Sequence, residues 1–125
     1  MRLTIEAALQ RIGDLLREDV APDLRTPFLG QSLRLAGRVL TICANWVDDA
    51  AAIRVEENAG IRKVLGLPPA PDPGLRISQL DAENHRLRLL LVEAHTAAEE
   101  AGDAARNAAI WTLLEEIELG RAQRE

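Results

Sequence analysis

The sequence is poor in aromatic residues. Among its 125 residues only Phe28, Trp46 and Trp111 are aromatic, and tyrosine is absent. A core built from this chain must therefore be aliphatic. Because strands draw on aromatic and β-branched residues, whereas leucine and alanine favour helices, the composition predicts an all-α fold.

Clustered basic charge is also missing. The chain carries 20 acidic and 15 basic residues, for a net charge of −5, and Lys63 is its single lysine. Proteins that bind phosphate backbones use clusters of lysine and arginine. The sequence therefore predicts no nucleic-acid partner.

Long apolar runs and cysteine pairs are lacking too. The longest uncharged apolar stretch, residues 39–47, is far shorter than the ~20 residues that span a membrane. Cys43 is the single cysteine, which excludes an intrachain disulfide and fits a reducing compartment. The N-terminus turns acidic at Glu6, too early for a signal peptide. We expect a cytoplasmic protein with no membrane partner.

What the sequence does contain is apolar residues at helical spacing. A first helix is predicted over residues 4–20, ended by Pro22, and a second begins at Pro27, a residue suited to the first helical position. Residues 29–47 carry a wide apolar face, so we expect them to form the main core helix. Gly37 within this helix permits close approach of a neighbouring helix.

The helical pattern weakens after Ala50. A single straight helix continuing to Leu65 would be roughly 60 Å long. The sequence therefore predicts a kink or break near residues 48–52 or at Gly60, or else a protruding segment that contacts another subunit. Gly66 is a suitable residue to end the helix.

Residues 67–74 form the one clear linker. Four prolines in this stretch forbid a helix and favour an extended connection. We interpret the linker as a crossover between two helical hairpins. A third helix is predicted from Ser78 to about Ala101, and a fourth after Asp103. The prediction is a four-helix bundle, or five helices if the second breaks, in one domain over residues 1–125, without an internal repeat.

Metal and catalytic motifs are not apparent. His85 and His95 each follow a glutamate at a spacing of two, whereas di-iron bundles use a spacing of three, which places both ligands on one face. The two histidines would also lie ~15 Å apart along one helix. We predict no metal, no cofactor and no catalytic residue.

Cys43 and the paired carboxylates have structural interpretations. Cys43 lies mid-helix among aliphatic residues, so a buried packing role is expected. The pairs Asp48–Asp49 and Glu56–Glu57 are predicted to be solvated, because adjacent residues of a helix do not converge.

The tryptophans leave two interpretations open. Trp46 and Trp111 fill the core between helices, or they line a small apolar pocket, since bundle cores do host ligands. The most polar patch near the expected core surrounds Trp46. The predicted ligand-binding residues are Asn45, Trp46, Asp48, Asp49 and Trp111.

Several segments resemble a known family. They are Ala7-Ala8-Leu9 followed by residues 15–22, residues 33–40, residues 83–88 and Ile110-Trp111. Together they are similar to an uncharacterised family of small all-helical bacterial proteins, often encoded beside aminoglycoside-phosphotransferase-like proteins and acyl-CoA dehydrogenases. The resemblance implies an accessory role near acyl-CoA or phosphotransferase-type metabolism and supplies no catalytic residues.

Three functions are therefore considered. The first is a non-enzymatic accessory or protein-interaction protein that forms a homo-oligomer, with a dimer favoured. The second is a small-molecule-binding helical bundle with an apolar pocket near Trp46 and Trp111. The third and least favoured is an enzyme that uses Asp48, Asp49 or a histidine.

Overall fold

The structure is a computed structural model that describes residues 3–123. These residues contain five α-helices and no strand, which confirms the all-α prediction. In chain order the elements are α1 (Ile5–Asp14), a π-helical segment (Leu15–Val20), a 3₁₀ turn (Ala21–Asp23), α2 (Pro27–Val47), α3 (Ala50–Val64), α4 (Ile77–Ala101) and α5 (Ala104–Ala122). No helix in the described part of the chain is long and apolar enough to cross a membrane.

The described residues divide into two compact units. The first comprises residues 3–49 and the second residues 50–123. The boundary is the turn at Asp48 and Asp49, which separates α2 from α3 and confirms a break within the predicted window. A single bundle domain that includes both units stays a prediction.

Most helix ends follow the local chemistry of the sequence. The Asp103 side chain accepts a hydrogen bond from the backbone N–H of Arg106 at the start of α5. Gly66 and Gly102 adopt positive φ values of 71° and 65° where α3 and α4 end. The third predicted helix is present as α4, which begins at Ile77, one residue before the predicted Ser78. The backbone N–H of the cap residue Arg76 donates to the side-chain oxygen of Gln79.

The first unit is a hairpin whose helices cross at two glycines. A Cβ atom on Gly13 would lie 2.7 Å from the carbonyl oxygen of Gly37, and a Cβ on Gly37 would lie 2.7 Å from that of Gly13. Only glycine permits this approach. The buried residues of the hairpin are all small, namely Gly13, Ala21, Gly30, Gly37 and Ala44.

The prediction that residues 29–47 form the main core helix is wrong. The buried face of α2 is its glycine and alanine face, while Leu29 is 50% exposed. Cys43, expected to be buried, is exposed as well. The reason is geometric, since the close crossing of α1 on the glycines leaves Leu29, Leu35 and Val39 exposed and buries other large side chains of α2, such as Leu40, only in part.

The second unit is a three-helix arrangement with the main aliphatic core. Its core consists of Ile61, Leu87, Leu91, Ile110, Leu113 and Ile117. The proline-rich segment joins α3 to α4 within this unit, and these two helices pack directly on each other. The segment is thus an internal connection of one unit, not the predicted crossover between two separate hairpins.

Candidate functional site

The most distinctive feature of the second unit is a set of buried polar side chains on α3. Glu57, Asn58 and Arg62 are 8%, 0% and 6% exposed, respectively. Charged residues are rarely buried to this degree unless they are paired. Their partners come from α4, from α5 and from the proline-rich segment.

One half of this set is centred on Arg62. Its Nη2 atom donates to Asp72 Oδ1 at 2.9 Å and to Glu83 Oε1 at 3.0 Å. The side chains of Asp72 and Glu83 are themselves only 4% and 11% exposed. Asn58 donates to the same Asp72 oxygen at 2.9 Å and to the carbonyl oxygen of Leu80 at 3.3 Å. Asp72 thereby fixes the proline-rich segment against α3.

The other half is centred on Glu57. Arg121 donates to its carboxylate through Nε at 3.1 Å and Nη2 at 3.0 Å, and Arg88 donates at 3.5 Å. Asn84 connects the two halves, because its amide donates to Asn58 Oδ1 at 2.9 Å and its oxygen accepts from Arg88 Nε at 2.8 Å. We refer to these side chains together as the polar network: Glu57, Asn58, Arg62, Asp72, Glu83, Asn84, Arg88 and Arg121.

The polar network reveals a repeat. Residues 57–62 read Glu-Asn-Ala-Gly-Ile-Arg and residues 83–88 read Glu-Asn-His-Arg-Leu-Arg, so both fit the pattern Glu-Asn-x-x-aliphatic-Arg. The two copies pair reciprocally. The arginine of each bonds to the glutamate of the other, and the two asparagines bond to each other. The aliphatic residues, Ile61 and Leu87, are both 0% exposed. This six-residue motif was not predicted from the sequence.

The two halves of the repeat differ in burial. The Arg62 side chain is 7% exposed, while that of Arg88 is 32% exposed and lies farther from its carboxylate. Burial alone would lower the pKa of Arg62, but its hydrogen bonds to Asp72 and Glu83 raise that pKa above its usual value. The hydrogen bond from Arg121 to Glu57 likewise raises the pKa of Arg121.

Glu83 makes the stability of the second unit dependent on pH. A hydrogen bond from Arg86 lowers the pKa of Glu83, burial raises it, and a hydrogen bond from Arg62 lowers it further. Together these effects bring the pKa of Glu83 from 4.5 to about 2. Because the folded state holds the ionised form, this stabilisation is present above pH 4.5 and is lost as the pH falls towards 2. We expect Glu83→Gln to lower stability at neutral pH and to flatten its dependence on pH in this interval.

Urea unfolding at a series of pH values measures this effect. The matched control is Glu100→Gln, which removes an exposed carboxylate of the same helix that lies outside the polar network. A Glu83→Gln protein with the pH dependence of the wild type would contradict the assignment.

Every buried side-chain nitrogen and oxygen atom of the polar network has a hydrogen-bond partner. Among residues 3–123, the buried side-chain nitrogen and oxygen atoms without a hydrogen-bond partner lie on Arg17, Trp46, His95 and Asn107, all outside the network. Buried polar groups that satisfy one another rigidify a core. The network therefore holds α3, α4, α5 and the proline-rich segment in one arrangement.

The prediction that Glu57 is solvated is wrong, whereas Asp48, Asp49 and Glu56 are exposed as predicted. The two arginines that pair with Glu57 lie far from it in the chain: Arg88 is 31 positions away and Arg121 is 64 positions away. Spacing along a single helix could not have indicated them. The repeated Glu-Asn-x-x-aliphatic-Arg pattern was the available signal.

The predicted ligand-binding residues are distributed over both units. Asn45, Asp48 and Asp49 are exposed at and beyond the end of α2. Trp46 is half-buried, and its indole Nε1 is a buried donor without a partner. Trp111 belongs to the second unit, where it is 49% exposed. A pocket that these residues line together stays a prediction.

The ring of Trp111 packs against His95. Their ring centroids are 5.3 Å apart at an angle of 87°, an edge-to-face contact between α4 and α5. His95 is also 3.5 Å from the Glu99 carboxylate one turn later on α4. Within the described residues no group of three or more histidine, cysteine, aspartate or glutamate side chains is arranged to hold a metal ion.

A groove of about 530 Å³ lies in the second unit beside the end of α3. Its lining includes Ala59, Arg62, Lys63, Gly66, Leu67, Pro69 and Ala70. Neither tryptophan contributes to it. The guanidinium of Arg62 is already engaged by two carboxylates, so the surface of the groove is mainly apolar.

The first unit presents a different kind of surface. On α2, Phe28, Leu35 and Val39 are 74%, 63% and 49% exposed. Between them lies a shallow groove of about 520 Å³ lined by Ser32, Leu35, Ala36, Val39 and Leu40. We call the surface formed by Phe28, Ser32, Leu35, Ala36 and Val39 the outer face of α2.

No protein-family model, curated protein or solved structure matches this chain.

Proposed function

We propose that this chain is a non-enzymatic accessory protein that binds another protein surface through the outer face of α2. The observation that carries the proposal is the distribution of side-chain size in the first unit. Its fully buried residues are all glycine or alanine, its large apolar side chains are at most half-buried, and those of the outer face are exposed.

This distribution leaves the hairpin short of hydrophobic stabilisation. Removing a large apolar side chain from water is worth about 1.5–3 kcal/mol, and glycine and alanine contribute much less. Phe28, Leu35 and Val39 would supply that stabilisation on contact with a second apolar surface. Exposed groups of this kind mark sites of protein association.

The second unit supports the proposal as a rigid scaffold. Its buried charges are paired with one another, and Arg62, which also lines the groove beside the end of α3, is engaged by two carboxylates. General acid–base catalysis needs charged groups that converge on a substrate. An accessory role near acyl-CoA or phosphotransferase-type metabolism is proposed from the family resemblance alone.

Comparative capture from extract of the native host tests the interaction role. The baits are the wild-type chain, the double variant Leu35→Glu/Val39→Glu and the control Val92→Glu, which alters an apolar side chain of the second unit that is 61% exposed. We expect the double variant to lose the proteins retained by the other two. Equal retention by all three baits would contradict the proposed function.

One observation favours the small-molecule alternative. The buried indole N–H of Trp46 lacks a partner, and a buried tryptophan N–H usually has one. An acceptor group on a bound ligand would satisfy it. This alternative is tested with a Trp111→Phe variant, in which Trp46 is the only tryptophan. The variant is titrated with acyl-CoAs and aromatic acids while its fluorescence is measured. An unchanged spectrum with every compound would count against the alternative.

A further inference from the structure

We propose that the partner of the outer face of α2 is a second copy of this chain, with the two α2 helices packed antiparallel. This inference rests on the proposed interaction role and specifies the partner. It places α2 at the centre of a dimer, with α1 on one side and the α2 of the second copy on the other.

The composition of α2 around its whole circumference favours burial on two sides. Among its 21 residues only Arg34 and Arg38 are charged. A helix that is apolar almost all round is buried on more than one side. Within the hairpin, α1 covers the face marked by Gly30, Gly37 and Ala44, and the outer face remains exposed.

The first unit carries little net charge. Residues 3–49 contain five basic and seven acidic side chains, so the unit is close to neutral. Helices that lie on anionic membranes carry lysine and arginine on the polar side of an apolar face, and α2 has only two arginines. A near-neutral apolar face suits a copy of itself, because two such faces meet without strong repulsion.

The charges at the two ends of α2 give the orientation. Asp23 and Arg25 precede α2, and Asp48 and Asp49 follow it; all four are exposed. In an antiparallel pair, the acidic end of each α2 lies beside the Arg25 end of the other. The positive end of the helix dipole lies there too. A parallel pair would instead bring the two acidic ends together.

We place the two-fold axis near Ala36, at the centre of the groove on the outer face. Cys43 lies two turns further along α2, about 10 Å from Ala36 along the helix axis. In the antiparallel pair the two Cys43 residues are therefore about 20 Å apart, beyond the reach of a disulfide. In a parallel pair they would be adjacent.

Mass measurement tests the dimer. The protein concentration is about 100 µM, well above the micromolar dissociation constants of weak interfaces. Size-exclusion chromatography with light scattering should then measure twice the monomer mass of 13.7 kDa for the wild-type chain and for Val92→Glu. Leu35→Glu/Val39→Glu should give 13.7 kDa with an unchanged helical circular dichroism spectrum. Val39→Ser is a milder second variant, expected to raise the dissociation constant about tenfold. A monomeric wild-type chain at this concentration would overturn the inference.

Oxidative cross-linking tests the orientation. We expect no disulfide-linked dimer from the native Cys43, and a rapid one from Ala36→Cys in a Cys43→Ser background. Efficient cross-linking through Cys43 would overturn the antiparallel arrangement. If the wild-type chain is monomeric and captures a protein that Leu35→Glu/Val39→Glu does not capture, the self-association inference fails while the proposed interaction role stands. If neither mass nor capture responds to that variant, both fail.

Discussion

Replacing Arg62 with methionine is expected to lower the free energy of unfolding of the second unit by about 3–5 kcal/mol. Methionine keeps most of the volume but leaves the buried carboxylate of Asp72 without a cation, while Glu83 keeps only the exposed Arg86 as its cation. An uncompensated buried charge is costly, because the protein interior replaces its hydration poorly. The loss should also free the proline-rich segment, which Asp72 holds against α3 through Arg62 and Asn58.

The internal repeat supplies the matched control for this experiment. Arg88 occupies the equivalent position, but its side chain is 32% exposed and lies 3.5 Å from Glu57, so Arg88→Met should cost only about 1 kcal/mol. Urea unfolding, followed by Trp111 fluorescence in a Trp46→Phe background, reports on the second unit. Equal and small losses for the two methionine variants would contradict a central role of Arg62.

A compensated variant separates loss of charge from loss of packing. Adding Asp72→Asn and Glu83→Gln to Arg62→Met removes the buried charges while retaining side chains of similar size. Replacing all members of a buried ion pair by neutral groups is often close to neutral in stability. We expect the triple variant to regain part of the lost stability, and no recovery would indicate that packing around Arg62 dominates.

The extent to which the sequence predicts this fold depends on the range of the interactions involved. Helix content, the Asp103 cap and the Gly66 terminus are set by residues a few positions apart, and these predictions are confirmed. The break after α2 is also visible locally, as a loss of the apolar stripe. The polar network is different, because its contacts join positions separated by up to 64 residues.

The prediction for α2 failed for a specific physical reason. An apolar stripe marks the buried side of a helix when large side chains fill the interface. Here α1 approaches through Gly13 and Gly37, so backbone atoms come into close contact and the largest exposed residues of α2 lie away from α1. Hydrophobic periodicity detects large apolar side chains and gives little weight to a row of small residues. The sequence does predict that Gly37 permits close approach of a neighbouring helix.

The glycine crossing leads to the second large expected effect. Gly37→Ala should destabilise the first unit by about 1–3 kcal/mol, because overpacking of this size forces backbone to move. The added Cβ would lie 2.7 Å from the carbonyl oxygen of Gly13 and 2.5 Å from Cγ of Arg17. This clash outweighs the gain of about 1 kcal/mol in helix propensity that alanine brings over glycine.

Gly30→Ala is the matched control on the same buried face of α2. There the new Cβ would be 3.4 Å from the carbonyl oxygen of Ala21, so the contact is nearly ordinary and the propensity gain should leave stability unchanged or slightly raised. Urea unfolding followed by Trp46 fluorescence in a Trp111→Phe background measures both variants. The two alanine substitutions lie seven residues apart, and we expect them to change the free energy of unfolding in opposite directions. This difference would distinguish a close backbone crossing from a general intolerance of this face to side chains. A Gly37→Ala protein as stable as Gly30→Ala would show that α1 and α2 do not cross at the glycines.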